Sequence, residues 1–94
     1  MSERRTVSLL IEGRVQGVSY RAWTRDQARA QGLAGSVRNR DDGAVEAVFS
    51  GSPEAVDRMV ILCRSGPPGA RVSDITIRAL DDGPALSGFE ILRG

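Results

Sequence analysis

Apolar positions in this chain run at strand spacing, then at helix spacing, and make that change a second time, which leaves few folds open to it. Thr6 to Ile11 alternates, with Val7, Leu9 and Ile11 on one face and Ser8 and Glu12 on the other. Leu10 is a mild exception. This is the pattern of a strand with one buried face. Tyr20, Thr24 and Ala28 then recur at helical spacing, Arg25, Asp26 and Arg29 turn outward, and Gly32 supplies a C-terminal stop. Trp23 fits this stripe poorly and is compatible with either the core or the rim of the preceding loop.

The second half repeats the scheme. Gly35 to Asn39 reads as a short strand, Arg40-Asp41-Asp42-Gly43 as a turn, and Ala44 to Phe49 as the returning strand of a hairpin. Ser52 caps a second helix that has Pro53 at its first position. Val56, Met59, Val60 and Cys63 give this helix its apolar stripe, and Gly66-Pro67-Pro68-Gly69 ends it. Val72, Ile75 and Ile77 begin another strand, residues 81–85 form a loop, and Phe89 to Leu92 form a short last strand. The order βαββαβ predicts an α+β fold, a ferredoxin-like split βαβ sandwich with an antiparallel sheet and both helices on one face. Residues 1–94 are expected to make one domain.

Composition removes several functions. A net charge of +1 provides no field that would draw nucleic acid or an anionic membrane. Lysine is absent, so every basic side chain is an arginine fork. Histidine is absent as well, which takes away the commonest general base and metal ligand. Serine nucleophiles therefore lack a partner base. No acidic cluster has metal-ligand spacing; Asp41-Asp42 and Asp81-Asp82 both sit beside glycine as turn residues. Cys63 is the single cysteine, at an apolar helical position, and reads as core. Neither a signal-like apolar core nor a stretch of ~20 apolar residues is present, so a cytoplasmic protein without a membrane segment is expected.

Chemistry concentrates in Gly13-Arg14-Val15-Gln16-Gly17-Val18-Ser19-Tyr20-Arg21. Two glycines between a strand and a helix let backbone N–H groups turn inward. The helix start adds free donors and partial positive charge. Arg21, in the first turn, adds a planar fork able to grip two phosphate oxygens. Residues Gln16, Gly17, Val18, Ser19, Tyr20 and Arg21 thus outline an anion cradle sized for one phosphoryl group. Gln16 and Ser19 are expected to contribute backbone donors, with their side chains directed elsewhere.

This run resembles the phosphate-binding signature of the acylphosphatase family. Gly35-Ser36-Val37-Arg38-Asn39-Arg40-Asp41-Asp42-Gly43-Ala44-Val45, with Gly51 beyond it, is similar to the family's second signature. The likeness runs roughly from Val7 to Ile77 and extends to the final Phe89-Glu90-Ile91. Ser36 stands where members usually carry an aromatic residue, a loss expected to thin packing near the site, and Tyr20 replaces the more frequent phenylalanine. The resemblance implies hydrolysis of acyl phosphates to a carboxylate and inorganic phosphate. It assigns phosphate binding to the loop and Arg21, and placement of the attacking water to Asn39. It implies a small-molecule substrate, no cofactor and no metal, and a monomer is the default. A non-catalytic phosphate-binding regulatory module is the alternative reading. RNA recognition would need aromatic residues on an open sheet face, and the chain has only four aromatics, two of them in the first helix.

Overall fold

A computed structural model describes residues 4–80 and 87–92. Its elements are β1 (Arg5–Arg14), α1 (Tyr20–Ala30), β2 (Ala34–Asn39), β3 (Val45–Gly51), α2 (Pro53–Ser65), β4 (Arg71–Ala79) and β5 (Phe89–Ile91). The loop expected over residues 81–85, with the Asp81-Asp82 turn in it, lies outside the described residues. The sheet has strand order β4-β1-β3-β2-β5. Its first four strands pair antiparallel, as expected, whereas β5 runs parallel to β2, so the sheet is mixed.

The alternation in sequence becomes the core directly. Val7, Leu9 and Ile11 of β1 lie opposite Phe49, Ala47 and Val45 of β3, and all are fully buried. Thr24 and Ala28 of α1, and Val56, Met59 and Cys63 of α2, close over the same face. Helix α1 packs on β2 and β5, and α2 packs on β1, β3 and β4. Ile77 belongs to this face, opposite Leu9, yet is 40% exposed because β4 is an edge strand. The rings of Phe49 and Phe89 stack 5.5 Å apart across Gly35, which sits between them in the register. Trp23 is half-buried, with its ring 5.5 Å from that of Tyr20, and it packs against the core.

Helix ends follow the sequence signals. Ser52 Oγ accepts from the Ala55 N–H at 3.2 Å with Pro53 next in line. At the end of α1, Gly32 N–H donates to Arg29 O and Leu33 N–H to Ala28 O, the paired bonds of a Schellman turn. Strand β1 runs further than the alternation indicated, through Gly13, where the pairing with β4 shifts by one residue. A Cβ on Gly13 would collide with the Arg71 carbonyl, so the close approach of β4 at this bulge requires glycine.

Candidate active site

Between β1 and α1 the backbone alternates in hand. Gly17 has φ 76° and Ser19 φ 62°, whereas Val18 between them does not have a positive φ. Such alternation turns successive N–H groups toward one side, making a concave nest of donors. Gly17 enters this region without penalty; Ser19 does so at roughly 1–2 kcal/mol, the cost of placing a Cβ there. In that conformation Ser19 does not cap α1 with its side chain, though its carbonyl accepts the first helical bond, from Trp23 N–H at 3.0 Å. Consequently none of the backbone N–H groups from Gln16 to Ala22 finds an acceptor among the described residues. A row of bare donors at a helix start is an electropositive surface.

Two side chains border that surface and a third turns away from it. Arg21 is half-buried and makes no hydrogen bond or ion pair among the described residues. By contrast Arg5, Arg25, Arg38 and Arg40 are all paired with carboxylates. Asn39, the last residue of β2, lies opposite Val45 and so shares the helix-facing side of the sheet with Ile11. Its Oδ1 is buried without a hydrogen-bond partner, the only such side-chain atom among the described residues. Gln16 directs its amide away from the nest, and Nε2 donates to Arg40 O and Ala44 O, each at 2.9 Å.

These groups surround one cavity of about 440 Å³ lined by Val15, Gln16, Gly17, Ser19, Tyr20, Arg21, Ala22, Asn39 and Ile91. That volume suits a whole small molecule, not a lone ion. Six of the seven residues singled out in the sequence meet here. Val18 does not line the cavity, because its side chain packs against the core beneath Gly69. Tyr20 contributes through its backbone, since its ring is buried. Val15, Ala22 and Ile91 were not foreseen as lining residues. Ala22 could have been, as the neighbour of Arg21 in the first helical turn; Ile91 arrives only through the β2–β5 pairing. Ser36 pairs with Val48 on the sheet face opposite Asn39, so the missing aromatic does not thin the packing around this cavity.

The tyrosine in place of phenylalanine has a structural use. Pro67 has no N–H, so the Cys63 carbonyl in the last turn of α2 lacks its helical donor. Tyr20 O–H fills the gap, donating to Cys63 O at 2.6 Å. Burial, with the neighbouring Cys63 group adding, raises the phenol well above its ordinary pKa, so it remains a donor throughout the working range. Tyr20→Phe should therefore cost about 1–3 kcal/mol by orphaning a buried acceptor. Thermal unfolding should register this as a drop of about 4–8 °C per kcal/mol. Cys63 itself is buried, and that burial pushes its thiol up to about 12, which leaves no thiolate for nucleophilic work. The Asp41-Asp42 pair acts as turn chemistry: Asp42 Oδ1 accepts from Ala44 N–H at 3.1 Å, and that bond, helped by Arg40, lowers its carboxyl below the usual value. Among the described residues no three His, Cys, Asp or Glu side chains come together as a metal site.

A ferredoxin-like sandwich with a cationic, donor-rich cleft at one end of its sheet is the class these features define. Comparison with known proteins narrows it. The family model for acylphosphatase matches residues 7–91, and the chain belongs to the acylphosphatase family. It is 53% identical to the acylphosphatase of Natronomonas pharaonis over 99% of this chain and all of that protein. It is 58% identical to that of Bradyrhizobium diazoefficiens over 78% of this chain and 74% of that one. The crystal structure of acylphosphatase from Bacillus subtilis superposes with a TM-score of 0.91 at 33% identity, covering 94% and 98% of the two chains.

Proposed function

We propose that this chain hydrolyses acyl phosphates, with the 16–22 amides and Arg21 holding the phosphoryl group and Asn39 placing the attacking water. One observation carries the reading. Unspent donors, an unpaired guanidinium and an unsatisfied carbonyl oxygen all border a single cavity. The first two match a dianion, and the third matches a water hydrogen.

The chemistry asks little more. Water attacks phosphorus, the P–O bond to the acyl group breaks, and R–COO–PO₃²⁻ plus H₂O becomes R–COO⁻ plus H₂PO₄⁻. The leaving carboxylate is a weak base, its conjugate acid having a pKa near ~4, and it departs without a general acid. Developing charge on the phosphoryl oxygens is met by fixed amides and the Arg21 fork, so positioning and electrostatics carry the rate. An amide oxygen can accept from water but cannot take its proton. A phosphoryl oxygen of the substrate is left as the acceptor. The open sheet face, with Ser8, Leu10, Arg38 and Glu46, carries no aromatic residue among those described, which argues against RNA as partner. No described helix is long and apolar enough to cross a membrane.

The test is phosphate release from benzoyl phosphate in the presence of EDTA. Turnover is expected there, while an alkyl phosphate, whose alkoxide would need protonation, should be nearly inert. With no histidine in the chain, kcat should stay flat between about pH 5 and 7. A bell with limbs near neutrality, or complete loss of turnover in EDTA, would overturn this account. Phosphate binding without turnover would instead indicate a regulatory module. The one sequence hint toward that module, Ser36, sits on the far side of the sheet from the cavity.

A further inference from the structure

The Gln16 side chain has no place in the mechanism above, yet it makes two well-formed hydrogen bonds to another part of the chain. Nε2 carries two N–H donors, and both are used: one goes to Arg40 O and one to Ala44 O, each at 2.9 Å. Those two residues close the β2–β3 hairpin, where Arg40 N–H donates to Ala44 O at 2.8 Å. Arg40 directly follows Asn39. The Gln16 amide therefore grips the base of the hairpin from both strands, one peptide away from the orphaned Asn39 Oδ1.

Few other hydrogen bonds join these two parts. The β1–β3 ladder stops at the Ile11–Val45 pair. Past that point, the Gln16 bonds are the only hydrogen bonds between residues 12–19 and residues 39–44 among the described residues. The tip of the hairpin, Asp41 to Gly43, is exposed. Packing of Val15 and Ala44 fixes the two segments coarsely, and the amide supplies the directional tie between the turn that begins at Gln16 and the strand end that carries Asn39.

We infer that Gln16 is a positioning residue that sets the distance between the phosphoryl-holding turn and Asn39. The inference rests on the reaction proposed above. There, phosphorus is located by the turn and Arg21, and the water by Asn39, so the in-line approach depends on keeping two separate chain segments in register. A misplacement of about 1 Å in such an arrangement can cost ~10²-fold in rate. A neutral amide of this length supplies both donors without adding a charge. Glutamate has the shape but no donor, and methionine has the length but no polar hydrogen.

Gln16→Met should lower kcat by about 10- to 100-fold while inhibition by inorganic phosphate stays nearly unchanged, because the backbone donors and Arg21 are intact. A double-mutant cycle with Asn39→Ala then shows how the residue acts. If Gln16 works through Asn39, the double variant will be no slower than Asn39→Ala alone. Multiplicative losses, or a Gln16→Met enzyme at parental rate, would overturn the inference. Gln16→Glu supplies an independent readout should the methionine variant fail to fold. Its carboxylate faces two carbonyls at neutral pH and cannot donate, but protonation restores one O–H donor. Its kcat relative to the parent should climb as pH falls from 7 toward 4.5; a ratio that does not change with pH would also overturn the role. Failure of the underlying reaction is told apart easily, since it appears as a parent protein without turnover.

Discussion

Arg21→Ala should abolish turnover and phosphate binding together, lowering kcat/KM by at least ~10³-fold, the scale on which a transition-state arginine acts in phosphoryl transfer. Among the described residues Arg21 has no carboxylate or carbonyl partner, so nothing in the fold depends on its charge. It also sits in the first turn of α1, where no acidic residue offsets the positive end of the helix dipole. A cation there is unfavourable by about 0.3–1 kcal/mol. The ligand-free variant should accordingly melt at the parental temperature or a few degrees above it. Inorganic phosphate separates the two effects. At a hundred times its Kd, a ligand stabilises by about 2.7 kcal/mol, which for a chain of this size raises Tm by about 10–20 °C. The parent should show that rise and the variant should lose it. Arg21→Lys retains the charge without the planar fork, and is expected to recover some phosphate affinity but little rate. A ligand-free Arg21→Ala protein that melts far below the parent would mean the guanidinium has a structural partner, and would remove it from the proposed site.

Much of this could be read without coordinates, and the parts that could not share a physical cause. Local signals held. The alternation of Val7, Leu9 and Ile11, the Ser52–Pro53 cap and the Asp42–Gly43 turn each depend on neighbours within a few residues, and each appears as expected. Asn39 came to attention through the resemblance alone, and it is the β2–β3 register that puts it on the helix-facing side of the sheet. Long-range pairings carried no such signal. The parallel docking of β5 on β2 depends on the path of the chain after β4, and only that pairing brings Ile91 to the cavity. The bonds from Gln16 to Arg40 and Ala44 span more than twenty positions, and a glutamine beside glycine looks like any polar loop residue. Tyr20 and Pro67 are coupled through one carbonyl on α2. In sequence they look like an ordinary core aromatic and an ordinary helix stop. Ser36 bears on the other side of the sheet, because three residues along a strand from Asn39 is the opposite face.

Asn39→Ala should leave phosphate binding intact and lower kcat by about 10²–10³-fold, the loss seen when one positioned hydrogen-bonding group is deleted from a transition state. Stability should barely move. Its Oδ1 makes no hydrogen bond to the protein among the described residues, so the fold draws no bond from it. The alanine variant should therefore melt within a few degrees of the parent. A loss of rate without a loss of stability is the signature of a group kept for its task and not for the fold. Asn39→Asp refines the point. The acceptor remains, but a carboxylate now faces the bound dianion, so phosphate affinity should fall along with kcat, whereas alanine affects kcat alone. Equal effects of the two substitutions on phosphate affinity would mean that residue 39 does not face the phosphoryl group. Normal turnover in the alanine variant would mean that the water is held by something other than Asn39.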